Sequence, residues 1–193
     1  MEGEQFIECR KFKVTLISAF DLEDVRKIFR MKVYATVSFG DDDKTEKRTK
    51  ADEYGETSPR WGSSMQYTIG ESAVIHHGLI LVIKLYCKRK LGDRYIGEVH
   101  ASIKNLFDCA TQYGGSRSAD VTWPVQKGCD ISQGMLRFSY RFGDKMVIER
   151  PPLWKKLLQS GAAVLLRVTL ISTTGVDLPI EEIPIFTNPV VIE

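Results

Sequence analysis

The chain has 193 residues, of which 43% are hydrophobic and 27% charged, the balance of a folded globular protein. Its net charge of +2 is too near neutrality for a nucleic-acid binder, so any basic function has to be local. Cys9, Cys87, Cys109 and Cys129 show neither CxxC nor metal-ligand spacing and read as free thiols of a reducing compartment. The opening MEGEQFIECRKFK lacks the apolar run of a signal peptide, and no stretch reaches the roughly 20 apolar residues of a spanning helix. The expectation is a cytoplasmic chain, at most peripheral at a membrane.

Strand-like runs rich in β-branched and aromatic residues follow one another along the first 143 residues. They lie at 12–18 (FKVTLIS), 32–39 (KVYATVSF), 65–69 (MQYTI), 79–87 (LILVIKLYC), 95–103 (YIGEVHASI), 121–125 (VTWPV) and 135–142 (MLRFSYRF). The polar segment 46–51 (EKRTKA) supplies an eighth. Alternation within them places Val33, Ala35 and Val37 on one side and Tyr34, Thr36 and Ser38 on the other. Turn-rich segments such as GDDDK and DEYGETSPRWG separate the runs, a pattern that predicts an all-β, eight-stranded antiparallel sandwich with its loops at two ends. One short helix is expected at 103–111 (IKNLFDCAT). Residues 144–159, with Pro151 and Pro152, read as a linker.

The C-terminal extension echoes the beginning. VTLIS at 14–18 returns at 168–172, Asp-Leu at 21–22 returns at 177–178, and IFRMKV (28–33) matches IFTNPV (185–190) at Ile, Phe and Val. Ordinary strand composition could produce such a match, but order and spacing favour a repeat. Residues 160–193 are therefore expected to be the truncated start of a second domain. Such a strand pair is marginal alone and would have to pack on the first domain, self-associate with another chain or remain poorly ordered.

Several stretches carry a resemblance. VTLISAFDLEDV (14–25), KVYATVSF (32–39), TSPRWGSSMQYTI (57–69), LGDRYIGEVHASIKNLFD (91–108) and GMLRFSYRFGDK (134–145) resemble, in order, the C2 domain family. They are most similar to its small plant members of the cold-regulated and defence-associated type. Thr57-x-Pro59-x-Trp61 and GDRYIGEV (92–99) are the most specific parts. The resemblance implies a Greek-key sandwich, with a C2 domain over 1–143, that presents three loops at one end. In this family aspartates of the first and third loops hold calcium.

Carried over position by position, the family's acid before the second strand falls at Lys32, and two acids of the third loop fall at Cys87 and Arg89. Asp93 is kept, and Asp24 remains in the first loop with Asp21 and Glu23, among Arg26, Lys27 and Arg30. Calcium wants about six to eight oxygen ligands, so these replacements argue against calcium and leave no implied cofactor.

Loops without calcium could still meet an anionic membrane. Over 21–32 and 87–95 the cations are Arg26, Lys27, Arg30, Lys32, Lys88, Arg89, Lys90 and Arg94, against the acids Asp21, Glu23, Asp24 and Asp93. Lys27, Arg30, Lys32, Lys88, Arg89 and Lys90 are the candidate lipid-binding residues. Ile28, Phe29 and Leu91 could insert, or could simply pack within their loops. Lys47, Arg48 and Lys50, with Lys44, form an alternative lipid-binding strip, which reads equally as a solvated edge strand guarded by lysines.

Other features carry less. His76-His77 has no third ligand near and reads as a surface turn; Asp41-Asp42-Asp43 reads as a hairpin tip. Cys87 beside Lys88 could be a reactive thiol, but a strand-end core cysteine fits better. No nucleophile elbow, phosphate-cradling glycine loop or zincin motif occurs, so no enzyme is expected. The resemblance implies a calcium-independent membrane-targeting adaptor in plant stress or defence signalling. The alternative is a protein-interaction or self-association module with an unknown partner.

Overall fold

The structure, a computed structural model, describes residues 6–26, 28–40, 42–112, 117–128 and 130–149. Among the described residues, eight strands and two short helices follow one another. They are β1 (Phe6–Phe20), β2 (Val33–Phe39), β3 (Asp42–Arg48), β4 (Arg60–Gly70), α1 (Ser72–Ile75), β5 (Ile80–Cys87), β6 (Arg94–Ser102), α2 (Ile103–Gln112), β7 (Ser118–Lys127) and β8 (Asp130–Glu149). The hydrogen-bonded order is β3-β2-β5-β6-β7-β8-β1-β4. β6 and β7 are joined through the single pair Glu98↔Gln126, and there the sheet folds into two four-stranded layers, β3-β2-β5-β6 and β7-β8-β1-β4. Gly97 sits at this fold: a Cβ on it would lie 2.5 Å from Val125 Cγ1 and 2.7 Å from the Gln126 carbonyl. This is the eight-stranded antiparallel sandwich that the spacing of the apolar runs predicts.

The core forms where alternating side chains of the two layers meet. Phe12, Val14 and Leu16 of β1 point inward while Lys13 stays exposed. Phe12 packs 4.9 Å from Phe142 of β8, and Phe39 meets Tyr67 edge-on at 4.9 Å. The Tyr67 hydroxyl, deep between the layers, donates to the Val37 carbonyl at 3.0 Å. α2 closes one side by burying Ile103, Leu106 and Ala110, and Tyr140 donates to the Leu106 carbonyl at 2.9 Å. Arg10 is buried and makes a two-pronged pair with Glu71, 2.6 Å on each prong, while its guanidinium lies over Phe107.

The sandwich is the compact unit Cys9–Met146; the described ends 6–8 and 147–149 of β1 and β8 belong to another. β8 runs from Asp130 to Glu149, beyond both ends of the strand expected at 135–142 and into the segment expected to be a linker. β3 spans 42–48 rather than 46–51. Its register, Phe39↔Asp42 and Thr36↔Arg48, starts directly at the hairpin, and Thr45 Oγ1 both accepts from the Phe39 amide and donates to the Asp42 carbonyl. The strand ends at Arg48, after which Thr49 leaves the strand; its hydroxyl takes the Ala35 amide. The four-residue α1 has no sequence signal long enough to see. β2 is buried on both faces: Tyr34, Thr36 and Ser38 do point away from Val33, Ala35 and Val37, yet neighbouring side chains cover them too. Lys27, Cys129, the linker beyond Glu149 and the expected second copy at 160–193 lie outside the described residues.

Candidate membrane-binding loops

Three loops share one end of the sandwich: loop 1 over 21–32, loop 2 over 49–59 and loop 3 over 88–93. Backbone hydrogen bonds lace them together. Leu22 donates to Thr57, Ala19 to Pro59, Lys88 to Lys32, and Val33 and Asp52 exchange both bonds. Loop 1 is anchored by its own apolar residues, since Leu22, Val25 and Met31 plug the end of the core. That anchoring leaves Ile28 and Phe29 outside, 85% and 67% exposed, and Leu91 at the tip of loop 3 is 94% exposed. All three are largely exposed, although Phe29 keeps a contact with Arg26 of its own loop.

Loop 2 is organised by Asp52. Burial opposes its ionisation, but the amides of Tyr54, Arg60 and Gly55 donate to it at 2.9, 2.7 and 3.2 Å and hold it below the usual carboxylate range. Gly55 is required there, since a Cβ would come 2.6 Å from the Asp52 carboxylate and 2.7 Å from Pro59. Loop 2 also supplies acids to loop 1. Glu56 pairs with Arg30 at 3.1 Å and Glu53 with Lys32 at 3.2 Å. Two of the six candidate lipid-binding cations are therefore engaged within the protein. Lys88, Arg89 and Lys90 are exposed on loop 3, with no ion pair among the described residues.

The positions matched to calcium ligands have other occupations. Lys32 is in its ion pair, and Cys87 is fully buried at the end of β5, a core thiol rather than a reactive one. The Asp93 carboxylate is turned back onto the sheet. One oxygen accepts from the Arg89 amide at 2.9 Å; the other accepts from the Tyr34 hydroxyl at 2.7 Å and lies 3.6 Å from Arg48. The Arg89 amide, then Tyr34, hold Asp93 below the usual range; burial first, then Asp93, pushes the Tyr34 phenol up to about 12. Asp24 accepts from the Arg26 amide at 2.8 Å. Among the described residues no group of three or more His, Cys, Asp or Glu gathers as a metal cluster.

What does gather is a cleft of about 540 Å³ between loops 1 and 3, lined by Val25, Arg26, Ile28, Phe29, Arg89, Lys90, Leu91 and Arg94. Arg26 donates to the Arg30 carbonyl at 3.1 Å and lies over the Phe29 ring at 5.2 Å. Arg94 reaches from β6 to the Val25 carbonyl at 3.0 Å. These two arginines count in the loop charge of the sequence but are absent from its six candidates.

The alternative strip is tied to the fold. Lys47 donates to the Gln66 carbonyl at 2.6 Å, closing the β3 edge towards β4, and covers the Tyr67 ring. Arg48 lies 3.4 Å over the Tyr34 ring, which stacks on Tyr86. Lys44 and Lys50 are exposed.

A layered sandwich in this strand order, with three laced loops at one end, is the C2 architecture, and the C2 domain model matches residues 10–118. The chain belongs to the C2 domain family. Among named proteins it is similar to Protein SRC2 homolog of Arabidopsis thaliana, 36% identical over 140 residues, and to Protein SRC2 of Glycine max, 33% identical over 140. Each alignment covers 72% of this chain but only 42% and 48% of the relative, so the chain spans less than half the length of either. Among solved structures, a C2 domain of plant Extended Synaptotagmin 1 aligns with a TM-score of 0.57 at 13% identity, covering 69% of this chain and 94% of that one. The calcium-bound pair of C2 domains of Extended-Synaptotagmin 2 aligns with a TM-score of 0.55 at 15% identity, covering 69% and 45%. Identities this low speak for the fold alone.

Proposed function

We propose that this C2 domain attaches its chain to anionic membranes without calcium, through loops 1 and 3. The observation that carries the reading is the placement of Ile28, Phe29 and Leu91, exposed at the loop tips around a cleft of cations. Arg30 and Lys32 contribute little to the attraction, because Glu56 and Glu53 offset them. Arg26, Lys88, Arg89, Lys90 and Arg94 supply it, at about 1 kcal/mol per cation near an anionic leaflet. Burying the apolar tips adds at most about 1.5–3 kcal/mol each. The charge contribution makes attachment salt-sensitive and selective for anionic surfaces.

Calcium independence is supported by the Asp93 carboxylate, whose oxygens already serve Arg89, Tyr34 and Arg48. A role as an adaptor in plant stress or defence signalling rests on the resemblance to small plant members of the family. Sedimentation with neutral and anionic vesicles, in calcium and in chelator, tests the reading. Binding to anionic vesicles alone, equal in both buffers, is expected. Binding that appears only with calcium overturns its calcium-free part. No binding to any vesicle overturns the membrane reading and favours a protein-interaction module.

A further inference from the structure

We propose that the cleft between loops 1 and 3 binds the phosphate monoester of a lipid headgroup directly, on Arg26, Arg94 and the cations of loop 3. This rests on the membrane reading above and gives it a ligand. Among the described residues the cleft is lined by the cations Arg26, Arg89, Lys90 and Arg94 and by no carboxylate. Of the nearby acids, Glu53 and Glu56 serve Lys32 and Arg30, Asp93 serves Tyr34, Arg48 and the Arg89 amide, Glu23 serves Lys127, and Asp24 accepts from the Arg26 amide.

The two arginines are also held in place. Each gives one N–H to a loop 1 carbonyl, Arg26 to Arg30 and Arg94 to Val25, which fixes the guanidinium and leaves the rest of its fork for a ligand. A fork fixed beforehand loses less freedom on binding, and guanidinium–phosphate hydrogen bonds are charge-assisted and geometrically matched. A phosphate monoester carries about −1.5 to −2 near neutral pH and offers three terminal oxygens, so it uses several cations at once. A diester headgroup has a single negative charge, and the ammonium of phosphatidylserine would face like charge here. The apolar lip of Ile28, Phe29 and Leu91 is of no use to free phosphate but suits a ligand that arrives with acyl chains.

The test has a soluble and a vesicle arm. Wild type is titrated with dihexanoyl phosphatidic acid below its micelle concentration, with dihexanoyl phosphatidylserine and with inorganic phosphate. It is then sedimented with vesicles of phosphatidic acid or phosphatidylglycerol matched in surface potential. The expected results are preference for phosphatidic acid in both arms and much weaker binding of inorganic phosphate. The Arg26→Gln/Arg94→Gln pair should weaken soluble phosphatidic acid binding by at least about tenfold. Arg26→Lys/Arg94→Lys keeps the charge and should lose the monoester preference while still sedimenting with both vesicles, which separates recognition from a folding defect. Equal sedimentation with both vesicles and no soluble headgroup binding overturns the phosphate site and leaves the membrane reading standing. Soluble phosphatidic acid binding without sedimentation on any vesicle does the reverse.

Discussion

Replacing Asp93 by asparagine probes the carboxylate that ties loop 3 to the sheet. Asp93 serves two sides, accepting from the Arg89 amide on one oxygen and from Tyr34 on the other, with Arg48 beside it. Asparagine has one acceptor and one donor face, so its NH2 must point either at the Arg89 N–H or at the Arg48 guanidinium. One hydrogen bond is lost and a donor faces a donor, a loss of about 1–2 kcal/mol, towards the lower end because loop 3 is solvated. For a domain of this size that lowers the melting temperature by roughly 3–6 °C. The pH dependence has a definite sign. The folded-state pKa of Asp93 is depressed, so its stabilisation is present above the unfolded value of about 3.9 and fades as pH falls through the lower folded value. Thermal denaturation of Asp93→Asn beside wild type should thus show a constant gap from neutral pH down to the ordinary carboxylate range, closing below it. The same oxygens are the ones calcium would need, so millimolar calcium should shift neither melting temperature. No gap at neutral pH, a gap that survives protonation, or a chelator-reversible rise of wild type in calcium would refute the reasoning.

Three further perturbations probe the fold and the loops. Glu71→Gln strands the buried Arg10 charge and should lower stability by about 3 kcal/mol in a denaturant titration. Gly97→Ala forces a Cβ against Val125 and the Gln126 carbonyl and should destabilise by about 1–3 kcal/mol, read as loss of amide-exchange protection along β6 and β7. Lys88, Arg89 and Lys90 changed together to Ala should reduce anionic-vesicle binding with little loss of stability. The Lys47/Arg48/Lys50 triple should instead lose stability, through the contacts to Gln66 and Asp93, and keep most of its binding. Loss of binding only in the second triple would move the site to the strip.

The strands were legible where period-two alternation of β-branched residues marks a half-buried ribbon, as in Phe12, Val14 and Leu16 or Val33, Ala35 and Val37. β3 was displaced at its start because DDKTEKR has no apolar period. Its pairing comes from the hairpin and from the Thr45 hydroxyl, which composition does not encode. The loops were legible as basic, and the absence of ligands at Lys32, Cys87 and Arg89 could be read from the resemblance. Which cations remain unpaired could not. The pairing of Arg30 with Glu56 and of Lys32 with Glu53 joins residues far apart in sequence through a loop arrangement that only the folded sandwich sets. The outward setting of Ile28 and Phe29 likewise follows from Leu22, Val25 and Met31 winning the available burial, a competition settled in three dimensions.

Calcium-free attachment through loops 1 and 3 requires the tip of loop 3 to enter lipid in the absence of calcium. An environment-sensitive fluorophore on Leu91→Cys, with Cys109→Ser and Cys129→Ser to keep labelling specific, reads this in chelator. A blue shift and protection from aqueous quencher are expected on anionic vesicles, with little change on neutral ones and no such shift for a label on Lys50→Cys. An unchanged spectrum at 91 on anionic vesicles, beside a shifted one at 50, would contradict it.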